Sequence, residues 1–295
     1  MLLQLFNLKD VVREFKGGIV LKTKKKGEQI VLAFLASVWG LICLFPIWVL
    51  FSGTFSSDSS NLTKTFFPNS ITNGILKCRE ALVTVDIGTS TIHTLIYTGV
   101  TVAGILIISS LAAYEFTFYE FPLKKLFFGQ LMVSMMLPQI LYIIPLYRLV
   151  FSMKLADTFA GVSLPMMVSA LSVFIMMQFL EDLPLSFIES ARIDGAGHFQ
   201  IYAQIVLPLM RNGILTTAVL MFMKIWGQYL WPSLVVSQKI KSISVTIANM
   251  LNPNFWVDPR VKIAAMLIAM LPPLGIYLVF QRYVIEGITM SGIKG

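Results

Sequence analysis

The chain has 295 residues, 56% hydrophobic and only 13% charged, with a mean hydropathy of +0.78. Soluble domains carry roughly 25% charged residues, so the composition excludes an ordinary soluble fold and points to a membrane protein. The net charge of +8 and pI near 9.5 do not argue for nucleic acid, because the one concentrated basic run, "KTKKK" at 22–26, precedes the first apolar stretch as a cytosolic, orientation-setting flank.

The N-terminal segment, residues 1–29, begins with apolar residues and carries its lysines later, which is the reverse of a cleaved signal peptide. Leu5, Leu8, Val12 and Phe15 repeat at helical spacing among Lys9, Asp10, Arg13 and Lys16. That pattern fits either a helix lying in the cytoplasmic membrane interface or a frayed tail.

Six apolar stretches follow, at about 30–51, 93–113, 126–147, 159–180, 209–236 and 261–281. Each is near the ~20 residues that a bilayer-crossing helix needs. The expected fold is therefore all-α: a polytopic membrane helix bundle of about six transmembrane helices, forming one transmembrane domain over 30–295. Prolines such as Pro138, Pro145 and Pro165 do not argue against spans, because neighbouring helices re-satisfy the freed backbone groups.

A lysine-rich N-terminus stays in the cytoplasm. Six spans then put both termini inside, with an outer loop at about 52–92 and a cytoplasmic segment between the fourth and fifth spans. Within the outer loop, "ITNGILKCREALVTV" suits a helix packing through Ile75, Leu76, Ala81 and Leu82. The Asn61 sequon carries no weight. Cys43 and Cys78 are far apart in sequence and in no metal or redox spacing, so no disulfide is required.

The chain lacks G-x-x-x-x-G-K-[ST], H-E-x-x-H, G-x-S-x-G and paired-cysteine zinc patterns. It therefore carries no standard ATPase of its own and no convincing catalytic or metal constellation. With His93 and His198 as its two histidines, histidine-based clusters are nearly excluded. Glu115, Asp157, Glu181, Asp194 and Glu286 all sit at or beyond span ends, whereas ion-driven transporters usually place titratable groups inside the bundle. Lys224 is the main exception, and it reads either as a charge lining a polar path or as a lysine snorkelling along the bundle.

The segment "LPLSFIESARIDGAGHFQIYAQIVLP", 183–208, breaks the apolar pattern. Ser186 and Glu189 have capping-box spacing, which predicts a short helix starting near 186 with Ser186 as its cap. Phe187, Ser190, Ala191 and Asp194 are expected along one face. Gly195 and Gly197 should end or bend that helix, and Ile205-x-Leu207-Pro208 should begin the next span. The product is a compact cytoplasmic elbow at about 184–200.

Glu189-Ser190-Ala191, with Gly195 six positions after the glutamate and Ile205 sixteen, resembles the "EAA" signature of ATP-binding-cassette (ABC) importer permeases. Asp194-Gly195-Ala196 matches the sugar-importing branch. The stretches "SSLAAYEFTFYEFPLKK", "MLPQILYIIPLYRLV" and "WGQYLWPSLV" and the ending "QRYVIEGITMSGIKG" extend the resemblance over most of the chain. They are similar to the shorter permease subunit of the maltose-permease group. Departures are Ser190 for the usual alanine, His93-Thr94 for Asn-Ser, and Gly227-Gln228 where many relatives have Asn and an acidic residue.

The resemblance implies a carbohydrate importer that pairs this chain with a second permease, two ATPase chains and an external solute-binding protein. ATP and Mg would be held by the ATPases, and this chain would bind no cofactor. The coupling residues it implies are Glu189, Ser190, Ala191, Asp194, Gly195, Ala196, Ile205, Leu207 and Pro208. Trp226, Tyr229 and Trp231 offer flat faces to sugar rings and Gln228 an amide to hydroxyls, so with Lys224 they form a candidate substrate path. Trp231 reads equally as an interfacial anchor. The alternatives are a polyol, glycerol-phosphate or other polar cargo, and, less favoured, an ion-driven secondary transporter.

Overall fold

A computed structural model describes residues 26–57 and 66–292. The expected interfacial helix within 1–25 and the Asn61 sequon lie outside the described residues. The chain runs through α1 (Lys26–Thr54), α2 (Ile71–Thr84), α3 (Ile87–Phe118), α4 (Lys124–Met136), α5 (Ile143–Ser152), α6 (Phe159–Ser163) and α7 (Ala170–Glu181). It continues through α8 (Ser186–Ile193), α9 (His198–Ile201), α10 (Leu207–Leu209), α11 (Arg211–Trp226), α12 (Leu230–Val235), α13 (Ile243–Met250) and α14 (Pro259–Gly292). There is no strand among the described residues.

Among the described residues, three unbroken apolar helices are long enough to cross a bilayer: Ile30–Thr54, Ile87–Phe118 and Pro259–Tyr283. Two further candidates are bent pairs, Phe159–Met166 with Ala170–Glu181 at 49°, and His198–Leu209 with Arg211–Trp226 at 74°. The expected third span, 126–147, is not one helix. Proline disfavours helical geometry in the residue before it, and Leu137 accordingly turns extended (ψ 120°) ahead of Pro138, ending α4. The expected fifth span stops at Gly227 and resumes as α12. The connection expected over 52–92 is shorter, because α1 runs to Thr54 and α3 starts at Ile87.

Helix α3 packs on α7 and α11, and α11 on α14, while α1 and α2 lie against α14. Two cores result. The larger gathers Ile87, Tyr97, Ile105, Val162, Trp226, Trp231, Ile243 and Ala265. The smaller lies at the other end of α3, where Ala113, Tyr114, Met176, Leu180, Ile188, Ala191, Tyr202 and Val206 meet. Helix α2 forms as expected, capped by Ser70, whose hydroxyl accepts from Asn73 N. Of its predicted packing residues only Ala81 is buried, and Ile75, Leu76 and Leu82 are exposed.

Buried hydroxyls tie distant elements together, which offsets the cost of taking them out of water. Tyr97 Oη meets Ser242 Oγ at 3.0 Å, Ser90 Oγ meets Thr246 Oγ1 at 2.7 Å, and Thr94 Oγ1 accepts from Ile243 N at 2.9 Å. Near the other end, Thr216 Oγ1 donates to Tyr283 O at 2.7 Å. Gly161 lets α6 approach the preceding turn: a Cβ there would lie 2.0 Å from Leu155 O.

Candidate functional site

The elbow begins at Ser186, but not through the expected capping box. Leu185 is the N-cap in αR geometry, and the cap makes no side-chain hydrogen bond. Phe187 N already donates to Pro184 O and Ile188 N to Leu185 O, so Ser186 lies inside the first turn rather than at its cap. The stop follows prediction more closely. Gly195 has φ +82° at C′, Gly195 N donates to Arg192 O, and Ala196 N donates to Ala191 O, both at 3.0 Å. Those two bonds form a Schellman motif, which satisfies carbonyls that the helix end leaves open. Gly197 is extended and caps α9.

The elbow's inward face is Ile188 and Ala191, three positions apart and both buried in the smaller core. Ala191 thus departs from the expected shared face, because Phe187, Ser190 and Asp194 are exposed. Glu189 and Gly195 are exposed too, and Ala196 is half-buried against the core. Three exposed apolar side chains surround these polar residues: Phe187 at 52%, Ile193 at 86% and Phe199 at 76%. Ile193 and Phe199 were not picked out from the sequence. The signal for them is an apolar residue beside charged ones on a short helix whose packing positions are already filled.

After α9, residues Tyr202–Val206 form a π-helical turn. Pro208 has no N–H to complete a regular ladder, and the bend at Met210 follows. Ile205 and Leu207 are half-buried and Pro208 is exposed, and the bend at Met210 separates this stretch, the first limb of the candidate broken span, from the helix that starts at Arg211. The elbow is fastened to the C-terminal end of α3. Ser110 Oγ meets Tyr202 Oη at 2.7 Å, Tyr114 Oη donates to His198 O at 3.4 Å, and the Tyr119 ring stacks on His198.

The candidate path residues separate. Trp231 is fully buried and its indole donates to Val162 O at 3.2 Å, so it is neither an interfacial anchor nor an exposed ring. Trp226 is also buried, donating to Ala269 O at 3.2 Å and stacked on Phe222. Both are core residues in this conformation. Lys224 and Tyr229 are exposed, and Gln228 is half-buried, its amide donating to Gln139 Oε1 at 3.0 Å.

A loop the sequence did not reveal closes this end. Asp157, itself at φ 57°, accepts from the backbone N–H groups of Ser237, Gln238, Lys239 and Ile240 and from the Ser237 hydroxyl. Burial pushes its carboxyl pKa up, but those N–H donors outweigh it and hold the pKa well below the usual carboxylate range. Lys241 pairs with Asp86 and lowers the pKa of that carboxyl, while Lys241 N donates to His93 Nδ1 at 3.1 Å.

A helical bundle with several apolar helices long enough to cross a bilayer defines the class as a polytopic membrane protein. The sequence matches the family of binding-protein-dependent transport system inner membrane components over residues 82–290, and the chain belongs to that family. It is 32% identical over 269 residues to the sn-glycerol-3-phosphate transport system permease protein UgpE of Agrobacterium fabrum, covering 88% of this chain and 95% of that one. To the protein of the same name from Yersinia pestis it is 30% identical over 278 residues, covering 90% and 98%. A bacterial ABC transporter structure, described as involved in import of the acidic polysaccharide alginate, superposes with a TM-score of 0.76. Its matching chain is 24% identical, with coverage of 88% of this chain and 98% of that one. That likeness speaks to the fold.

The chain is thus a permease subunit of an ABC-type importer in the inner membrane. It is a transport component and not the ATPase, which is a separate subunit. Such a permease works with a second permease, ATPase chains and a solute-binding protein. The ion-driven reading falls with this assignment.

Proposed function

We propose that this chain is the shorter permease of an ATP-driven importer of a sugar or oligosaccharide, and that its elbow, residues 184–200, is the helix that docks in the ATPase. The observation that carries this is the elbow's outer surface, where Phe187, Ile193 and Phe199 stand exposed around Glu189 and Asp194 while Ile188 and Ala191 hold it to the bundle. Apolar side chains beside fixed charges, on a short and firmly stopped helix, suit a protein groove. Glu189, Ser190, Asp194 and Gly195 then face the ATPase. Ala191 and Ala196 shape the elbow from its inner side, and Ile205, Leu207 and Pro208 shape the turn that follows it.

The test uses the complete importer. Ile193→Asp should release the ATPase chains during purification and abolish hydrolysis stimulated by the loaded binding protein. Full retention of the ATPases with undiminished uptake overturns the docking assignment.

A second cargo reading, an anionic polyol phosphate, draws on the exposed Lys224 inside an apolar helix and on relatives named for sn-glycerol-3-phosphate. Uptake into proteoliposomes separates the two. Competition by sn-glycerol-3-phosphate that is lost in Lys224→Gln favours the anion, and competition by neutral sugars that survives that change favours the sugar.

A further inference from the structure

Beside α13, at the end of the bundle opposite the elbow, is a cavity of about 480 Å³. Its size falls within the roughly 300–1,000 Å³ of small-molecule sites. Tyr229 and Phe255 line it, 49% and 42% exposed, and among the described residues neither ring is paired with another aromatic. Asn249 also lines it, and among the described residues its amide has no hydrogen-bond partner. We propose that this cavity is a reception site for a neutral polyhydroxyl solute, a sugar ring seated between the Tyr229 and Phe255 faces and hydrogen-bonded by the Asn249 amide and the Tyr229 hydroxyl. The proposal rests on the import reading above, in which this end of the bundle faces outward.

Charge decides the solute class. Among the described residues, Lys241 is the one member of the lining that carries a charge at neutral pH, and Asp86 already neutralises it. A phosphate or carboxylate placed here would have to compete with Asp86 for that ammonium, while a neutral sugar requires no counter-charge. The remaining polar lining is hydroxyl: Ser233, Ser237, Ser242 and Thr246. Aromatic faces present an apolar body against which the C–H face of a sugar ring packs, and the amide and hydroxyls at the edge meet its O–H groups.

The wall is built before any solute arrives. Ser242 and Thr246 are held to α3 through Tyr97 and Ser90, and Ile243 N through Thr94. The 237–240 stretch is held by Asp157. Such a site loses little freedom on binding. Tyr229 joins it to the path, lying next to Gln228 at the end of α11.

Saturation-transfer NMR on the complete importer in lipid nanodiscs, without its binding protein, tests the assignment, with maltose as neutral probe and sn-glycerol-3-phosphate as anionic probe. Maltose should show ring-proton transfer that weakens about tenfold in Asn249→Ala and in Phe255→Ala, and the phosphate should show none. Both substituted residues are exposed, and an unchanged thermal midpoint confirms that the complex is intact. No maltose transfer, maltose transfer undiminished in either variant, or phosphate transfer matching maltose each overturns the proposal. ATPase release by Ile193→Asp reads the elbow and the maltose signal reads the cavity, so the two readings fail separately.

Discussion

The His198 imidazole is stacked on the Tyr119 ring, with centroids 4.6 Å and planes 24° apart, and the Arg192 guanidinium lies 4.7 Å from the centre of that same ring. Tyr119 ends a spanning helix, whereas Arg192 and His198 belong to the two short helices of the elbow. One side chain therefore ties both halves of the elbow to α3. An aromatic pair adds about 0.5–1.5 kcal/mol and an exposed cation–π contact about 0.5–1 kcal/mol. Tyr119→Ala should speed backbone amide exchange across 186–201 and lower binding-protein-stimulated ATP hydrolysis several-fold. Tyr119→Phe, which keeps the ring, should retain most of both. Equal behaviour of the two variants would show that the stack does not position the elbow.

Gly195 separates a conformational demand from a steric one. Its φ of +82° is costly for a side chain, yet a Cβ built there meets nothing within 4 Å. The penalty for substitution is then backbone strain alone, about 1–2 kcal/mol for an ordinary L-residue, greater for a β-branched one and less for asparagine. Coupled ATPase activity should fall in the order Gly195, Asn, Ala, Val. A steep loss already at Gly195→Asn would mean that the ATPase itself approaches this backbone closely.

Much of this was legible in the sequence, and what was not has identifiable causes. Apolar runs located α1, α3 and α14 because lipid-exposed helices need long uninterrupted hydrophobicity. Hydropathy could not show that the run at 126–147 breaks before Pro138, since both halves are apolar. Trp231 reads alike as anchor, ligand contact or core residue from composition, and only the packing of α12 against α6 buries it. The Asp157 loop was invisible because its partners lie 80 to 83 positions away. The elbow's Gly195 stop was legible because a Schellman turn is local.

The capping box shows how a local signal fails. Ser186 has the right spacing to Glu189, but the turn starts at Pro184 and leaves its hydroxyl without a capping role. Ser70, with no acidic residue three positions on, does cap α2. Ser70→Ala should therefore cost about 1 kcal/mol and Ser186→Ala little, within about 0.5 kcal/mol. Thermal midpoints of the two variants in detergent check this, and a larger loss at Ser186 would restore the capping box.

Asp258 governs how the end of the bundle opposite the elbow responds to acid. Burial pushes its carboxyl pKa up, but the Arg260 N–H, the Lys77 ammonium and the Arg260 guanidinium outweigh it and lower the pKa to about 2. Arg260 also reaches back to Ser57 O at 3.1 Å, so the carboxylate organises the junction of α14 with the end of α1. The folded pKa lies below the unfolded one, near 3.8, so the ionised carboxylate stabilises the fold at all pH values above that. Its contribution is lost as pH falls from about 4 toward about 2. Asp258→Asn should lower the thermal midpoint at neutral pH and flatten its fall over that window, while Asp157, held lower still, keeps its contribution to more acidic pH. Parallel acid limbs for the wild-type and Asp258→Asn proteins would sink the assignment.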